Sequence, residues 1–164
     1  MLNLARPGAI WQRRMDMIVP RNHLGLAAYG GKLYAFGGQN LENEDSGNLA
    51  VTEEYDPGTD TWRMLTPIPV PLGHITPGVF PSAHGIFILG GYSNQPTKHA
   101  TSLVFYSPVD DEWTVLSALE AEPSQVAGII DGVIYAQVEN RAYGGRIIWT
   151  ERSPPAAIPG DPSN

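Results

Sequence analysis

Leu24-Gly25-Leu26-Ala27-Ala28-Tyr29-Gly30-Gly31-Lys32-Leu33-Tyr34-Ala35-Phe36-Gly37-Gly38 contains two short apolar runs, each closed by a pair of glycines. A glycine pair takes up the positive φ that tight hairpin turns demand, so the stretch reads as strand, turn, strand. At Gly37-Gly38 the missing side chains let a neighbouring backbone come close. Further along, Gln39 to Asn48 reads as a variable loop and Leu49 to Tyr55 as a third strand. Asp56-Pro57-Gly58-Thr59-Asp60 is then a turn, with Pro setting φ and the Asp side chains bonding the local backbone. Thr61-Trp62-Arg63-Met64-Leu65 makes a fourth strand.

The unit recurs. Trp11, Trp62 and Trp113 follow one another at a spacing of 51 residues, and the same step carries Tyr55 to Tyr106, Pro57 to Pro108, Pro20 to Pro71 and His23 to His74. A fixed period of this length decides architecture before any single motif does. The second unit reads Gly78-Val79-Phe80, a turn two residues longer through Pro81 to Gly85, Ile86 to Leu89 closed by Gly90-Gly91, then Val104-Phe105-Tyr106-Ser107-Pro108 before Trp113. The third keeps Ala127 to Ala136, has Val138-Glu139 in place of the glycine pair, and offers Arg146-Ile147-Ile148-Trp149-Thr150 as its third strand.

A Gly-Gly pair ending the second strand, Tyr55-Asp56-Pro57 before a turn, and a Trp seven residues after that Tyr together resemble the kelch repeat. The resemblance implies an all-β chain: a kelch-type β-propeller of four-stranded antiparallel blades, about three of them, at 20–66, 71–117 and 123–150 within residues 1–153. Gly37, Gly38, Gly90, Gly91, Tyr55, Trp62, Tyr106 and Trp113 then read as scaffold, the aromatics packing between blades. Residues 154–164 read as a Pro-rich disordered tail. Propellers close with about four to eight blades, so about three leave the ring incomplete. One step of 51 back from Tyr55 falls on Leu4, inside the third strand of a preceding blade. The favoured reading is a fragment of a six- or seven-bladed protein. The alternatives are two chains assembling one ring, or an N-terminal strand closing the last blade. Open blade faces would favour self-association.

Composition narrows the function. The 164 residues are 42% hydrophobic and 16% charged, with 18 Gly and 15 Pro set between short apolar runs, as in turn-rich all-β chains. A formal charge of −7 repels phosphate backbones and argues against a nucleic-acid partner. With no cysteine, disulfides, thiolate metal sites and cysteine nucleophiles are excluded. No run approaches the length of a membrane span, and no signal-peptide pattern opens the sequence; a chain complete as written would be cytoplasmic.

Candidate site residues sit where each unit enters its innermost strand: Pro20-Arg21-Asn22-His23, Pro71-Leu72-Gly73-His74 and Glu122-Pro123-Ser124-Gln125. Positions 23, 74 and 125 are equivalent and would form an arc around the channel mouth. Arg21 could clamp a carboxylate, His23 and His74 could exchange hydrogen bonds near neutral pH, and Asn22 and Gln125 could add amide contacts. Most side-chain hydrogen bonds go to backbone or water, so these residues could equally tie strand ends together. Secondary candidates lie in the loops between second and third strands: Gln39, Asn40, Tyr92, Asn94 and Arg141. The acidic stretch Glu42-Asn43-Glu44-Asp45 lacks the alternating ligands and central Gly of a calcium loop, so neither metal nor cofactor is expected.

These features favour a binding module with a protein or carbohydrate-like partner. The resemblance also implies an enzymatic alternative. Galactose-oxidase-like copper chemistry needs the cysteine this chain lacks, whereas a fragment of a sialic-acid-mutarotase-like epimerase would draw acid and base groups from Arg21, His23, His74 and Glu122.

Overall fold

The computed structural model describes residues 11–40, 47–93, 98–118 and 127–148. The first unit contains β1 (Arg21–Asn22), β2 (Gly25–Tyr29), β3 (Lys32–Phe36), β4 (Gln39–Asn40), β5 (Thr52–Asp56) and β6 (Thr61–Met64). The second contains β7 (Val79–Ser82), β8 (Gly85–Leu89), β9 (Tyr92–Ser93), β10 (Lys98–His99), β11 (Ser102–Ser107) and β12 (Glu112–Ala118). The third contains β13 (Ala127–Ile130), β14 (Val133–Val138) and β15 (Arg141–Arg146). β2-β3-β5-β6 and β7-β8-β11-β12 are four-stranded antiparallel meanders, and β13-β14-β15 is a three-stranded one. Among the described residues the only helical element is a single 3-10 turn at Thr76–Gly78.

Alternation along the strands explains the stacking. Ala27, Tyr29, Tyr34 and Phe36 of the first blade bury one face against Ile86, Ile88, Val104 and Tyr106 of the second. The second blade's other face, with Phe80, Phe87, Leu89 and Phe105, packs on Ile134 and Ala136 of the third. A middle blade buried on both faces reads as a continuous apolar run, and all five residues of β8 are buried. Each buried Ile or Phe contributes roughly 1.5–3 kcal/mol relative to exposure.

The recurring Tyr, Asp and Trp fasten the incoming linker to its blade. The Tyr55 hydroxyl donates to Asp60 Oδ1 at 2.6 Å, and Asp60, held at φ +55°, accepts from the Met15 N–H at 3.0 Å. Trp62 Nε1 donates to the Met15 carbonyl at 2.9 Å. One step on, Tyr106 donates to Asp111 at 2.6 Å, Asp111 accepts from the Thr66 N–H at 3.0 Å, and Trp113 Nε1 donates to the Thr66 carbonyl at 2.9 Å. The glycine pair serves the same linker from the inner side: a side chain on Gly37 would collide with the Leu72 carbonyl, and the Gly38 N–H donates to that carbonyl at 2.8 Å.

Four expectations are corrected. Ser82 pairs with Gly85, so the second blade's first hairpin has the same two-residue turn as Tyr29–Lys32. The two extra residues lie upstream, where the 3-10 turn Thr76–Gly78 precedes β7. The third strand of the last blade is Arg141–Arg146, not the run beginning at Arg146, because β14 turns straight back through Glu139 and Asn140. Arg141 is accordingly a strand residue and not part of a long loop. Trp11, equivalent by spacing to two strand tryptophans, stands in no strand and is 89% exposed. The expected tail at 154–164, and Trp149-Thr150, lie outside the described residues.

Candidate binding site at the inner rim

β1 and β4 pair beside the four-stranded sheet of the first blade, Arg21 with Asn40 and Asn22 with Gln39. The second blade repeats this pairing in shorter form, Gly73 bridging Tyr92. Asn22, His23, Gln39, Asn40, His74 and Tyr92 are thereby brought together at the junction of the first two blades. His23 and His74 both adopt positive φ, +51° and +54°, and their rings stack with centroids 4.0 Å apart. The two residues thus share the left-handed backbone conformation one repeat step apart.

A hydrogen-bond chain fixes the pair. Gln39 Nε2 donates to Asn48 Oδ1 at 3.1 Å, leaving Gln39 Oε1 to accept from His23 Nδ1 at 3.0 Å. Asn48 Nδ2 in turn donates to the Tyr92 carbonyl at 2.6 Å, tying the first blade's loop to the second's. Tyr92 presents its ring to His74 edge to face at 5.4 Å. Burial and the neighbouring His23 hold the His74 pKa below the ordinary imidazole value.

Arg21 lies beneath this surface. Its guanidinium is fully buried, donates to the carbonyls of Val19, Ala35 and Gly37, and meets Glu53 Oε1 at 2.9 Å. It supports the rim from within and does not project from it. Arg141 lies on the third blade, apart from these residues in sequence and sheet. Gln125, Asn94 and Glu122, together with the acidic stretch 42–45, lie outside the described residues.

Sequence reasoning missed Asn48 and Glu53. Glu53 had a signal: Thr52-Glu53-Glu54 puts two carboxylates into a central strand whose counterpart, Leu103-Val104-Phe105, is apolar. Glu54 faces the second blade and collects Arg63 Nε at 2.7 Å, Lys32 Nζ at 2.7 Å and the Tyr34 hydroxyl at 2.8 Å. The Arg63 hydrogen bonds, helped by those from Lys32 and Tyr34, hold the Glu54 carboxyl at about 2. Burial first, then the bond to Glu54, pushes the Tyr34 hydroxyl well above its usual range.

Residues 20–69, from β1 through the linker after β6, match the family model of the kelch motif. This match and the kelch-like relatives support a kelch-repeat family for this part of the chain. It is similar to kelch repeat and BTB domain-containing protein 1 of ectromelia virus, 31% identical over 111 residues, which is 66% of this chain and 18% of that protein. Kelch-like protein 36 of Bos taurus is 26% identical over 122 residues, 73% of this chain and 19% of the relative. Alpha-scruin of Limulus polyphemus is 26% identical over 108 residues, 63% of this chain and 11% of the relative. The chain thus spans less than a fifth of the length of these relatives. A kelch scaffold with kelch-like relatives supports an interaction module.

Proposed function

We propose that this kelch chain is a protein-recognition module whose contact surface is the inner rim around His23, His74, Gln39, Asn40 and Tyr92. One observation carries the reading: residues a full repeat apart, His23 and His74, are stacked at 4.0 Å and buttressed by Gln39 and Tyr92. Structural tying of strand ends does not need two stacked imidazoles, and the scaffold beneath already holds the strands through the Arg21–Glu53 pair. Imidazole, amide and aromatic groups on a rigid frame suit the main-chain amides and hydroxyls of a peptide segment.

The test is a comparison of proteins recovered with the wild-type chain, with His23→Ala/His74→Ala, and with Val109→Ala, whose exposed side chain lies on the outer turn of the second blade. The expected result is a partner retained by the wild type and the Val109 variant and lost by the double variant, whose circular dichroism stays unchanged. Equal recovery by all three would sink the rim as the contact surface.

A further inference from the structure

One backbone carbonyl decides where the proton sits on a ring two side chains away. The Tyr92 carbonyl can only accept, so the Asn48 group facing it at 2.6 Å is the NH2. The other arm of that amide, Asn48 Oδ1, therefore faces Gln39 at 3.1 Å and takes a hydrogen from the Gln39 NH2. Gln39 Oε1 is then the atom that meets His23 Nδ1 at 3.0 Å, and a carbonyl oxygen at that place requires Nδ1 to carry a hydrogen. The neutral His23 ring is thus held as its Nδ1–H tautomer, with a bare lone pair on Nε2.

The relay is anchored in both blades. Gly73 and Tyr92 exchange backbone hydrogen bonds at 3.0 and 2.9 Å, which fixes the deciding carbonyl. Asn48 Oδ1 lies against Gly73, where any Cβ would collide with it. His23 stands at φ +51°, a backbone region that side-chain-bearing residues populate sparsely and that collects at ligand-contacting positions.

His23 is exposed, and Nε2 is the one ring nitrogen that the relay leaves to a partner. On the face of the ring stands His74, whose own far side meets the edge of Tyr92. Among the described residues no carboxylate, ammonium or guanidinium hydrogen-bonds to either imidazole. The groups that face the pair are Gln39 from β4 and Tyr92 from β9, both uncharged.

We propose, on the reading of this surface as the contact surface, that His23 Nε2 accepts a hydrogen bond from a lysine ammonium or arginine guanidinium of the partner protein. A neutral ring whose free nitrogen is a lone pair offers nothing to a carboxylate or phosphate and suits an N–H donor. The chain's formal charge of −7 attracts a cationic donor over a neutral one. Protonation places a hydrogen on Nε2 and turns the acceptor into a cationic donor, so recognition of the cation is lost as pH falls through the His23 titration.

Long-range proton–nitrogen NMR correlation on the full chain, above the imidazole titration, reads the tautomer. His23 should show a protonated Nδ1 and a bare Nε2, and Gln39→Met should return it to the Nε2–H form that unconstrained histidine prefers. Two capped glycine pentapeptides, one with lysine at the centre and one with glutamate, then probe the surface through the backbone amides of Gln39 and His74. The lysine peptide should shift these amides in the neutral state, lose its effect on acidification, and bind His23→Phe, which keeps a ring but no acceptor, roughly tenfold more weakly. A bare Nδ1, a tautomer indifferent to Gln39→Met, no shift with the lysine peptide, equal or tighter binding of the glutamate peptide, or undiminished binding by His23→Phe would each overturn this selectivity and leave the contact surface standing. Equal partner recovery in the comparison with His23→Ala/His74→Ala would remove the surface itself, and the selectivity with it, whatever the tautomer.

Discussion

Arg21 and Glu53 form a fully buried ion pair at 2.9 Å in the first blade, at the positions that Leu72 and Val104 fill in the second. One chain thus carries the ionic and the apolar solution to the same packing problem. Burial lowers the Arg21 pKa despite the neighbouring carboxylate, which marks the desolvation this pair bears. Glu53 Oε2 has no hydrogen-bond partner among the described residues.

Arg21→Ala should therefore cost roughly 3–5 kcal/mol, because it leaves the buried Glu53 carboxylate without its counter-charge, with the Val19 N–H at 2.9 Å as its remaining hydrogen-bond donor. Arg21→Leu/Glu53→Val, which copies the second blade, should recover most of that loss. Chemical denaturation measures both variants. If the double variant is as unstable as the single, the carbonyls held by Arg21, and not the buried charge, set the cost.

Glu54 governs the acid limb of stability. Its carboxyl titrates at about 2 in the folded chain against an ordinary value of 4.5. A depressed folded pKa stabilises above the unfolded value, and that stability disappears as pH falls from about 4.5 through about 2. Its side chain is 3% exposed, so the contribution is on the order of 3 kcal/mol. Glu54→Gln should be less stable than wild type at pH 7, and the gap should narrow across that window. A gap that stays constant with pH would show that the ion cluster with Arg63 and Lys32 is not its source.

The His74 imidazole should titrate below the ordinary range. His74 is lowered from 6.5, chiefly by burial and secondarily by the charge on His23. A neutral ring is favoured in the fold, so its contribution is complete above 6.5 and is lost as pH falls below that value through the lowered pKa. In an NMR titration, His23→Ala should move the His74 midpoint part of the way back towards 6.5. An unmoved midpoint would mean the stacked ring carries no electrostatic weight.

Gly37 holds φ +56° directly against the linker between the first two blades. Gly37→Ala should cost roughly 1–3 kcal/mol from the backbone alone, plus whatever is needed to displace Leu72. Gly31, at φ +77° with open space around it, isolates the backbone share. Thermal melts of Gly37→Ala and Gly31→Ala should differ, with Gly37→Ala melting lower.

The 51-residue period and the glycine pairs determined the four-strand unit, the first hairpin to within one residue and the equivalence of His23 with His74, since all of these are encoded locally by turn chemistry and alternation. Tertiary structure decided the partners. Alternation assigns Glu53 and Glu54 to opposite faces, but that one answers Arg21 from 32 residues away while the other gathers Lys32, Tyr34 and Arg63 depends on which segments the folded chain lays alongside. The same holds where spacing misled. The two-residue insertion before β7 and the immediate turn after β14 both preserve apolar alternation, so only the paired strands reveal them. Periodicity records what each residue does to its own backbone, while hydrogen-bond and packing partners are chosen among distant segments competing for one buried space.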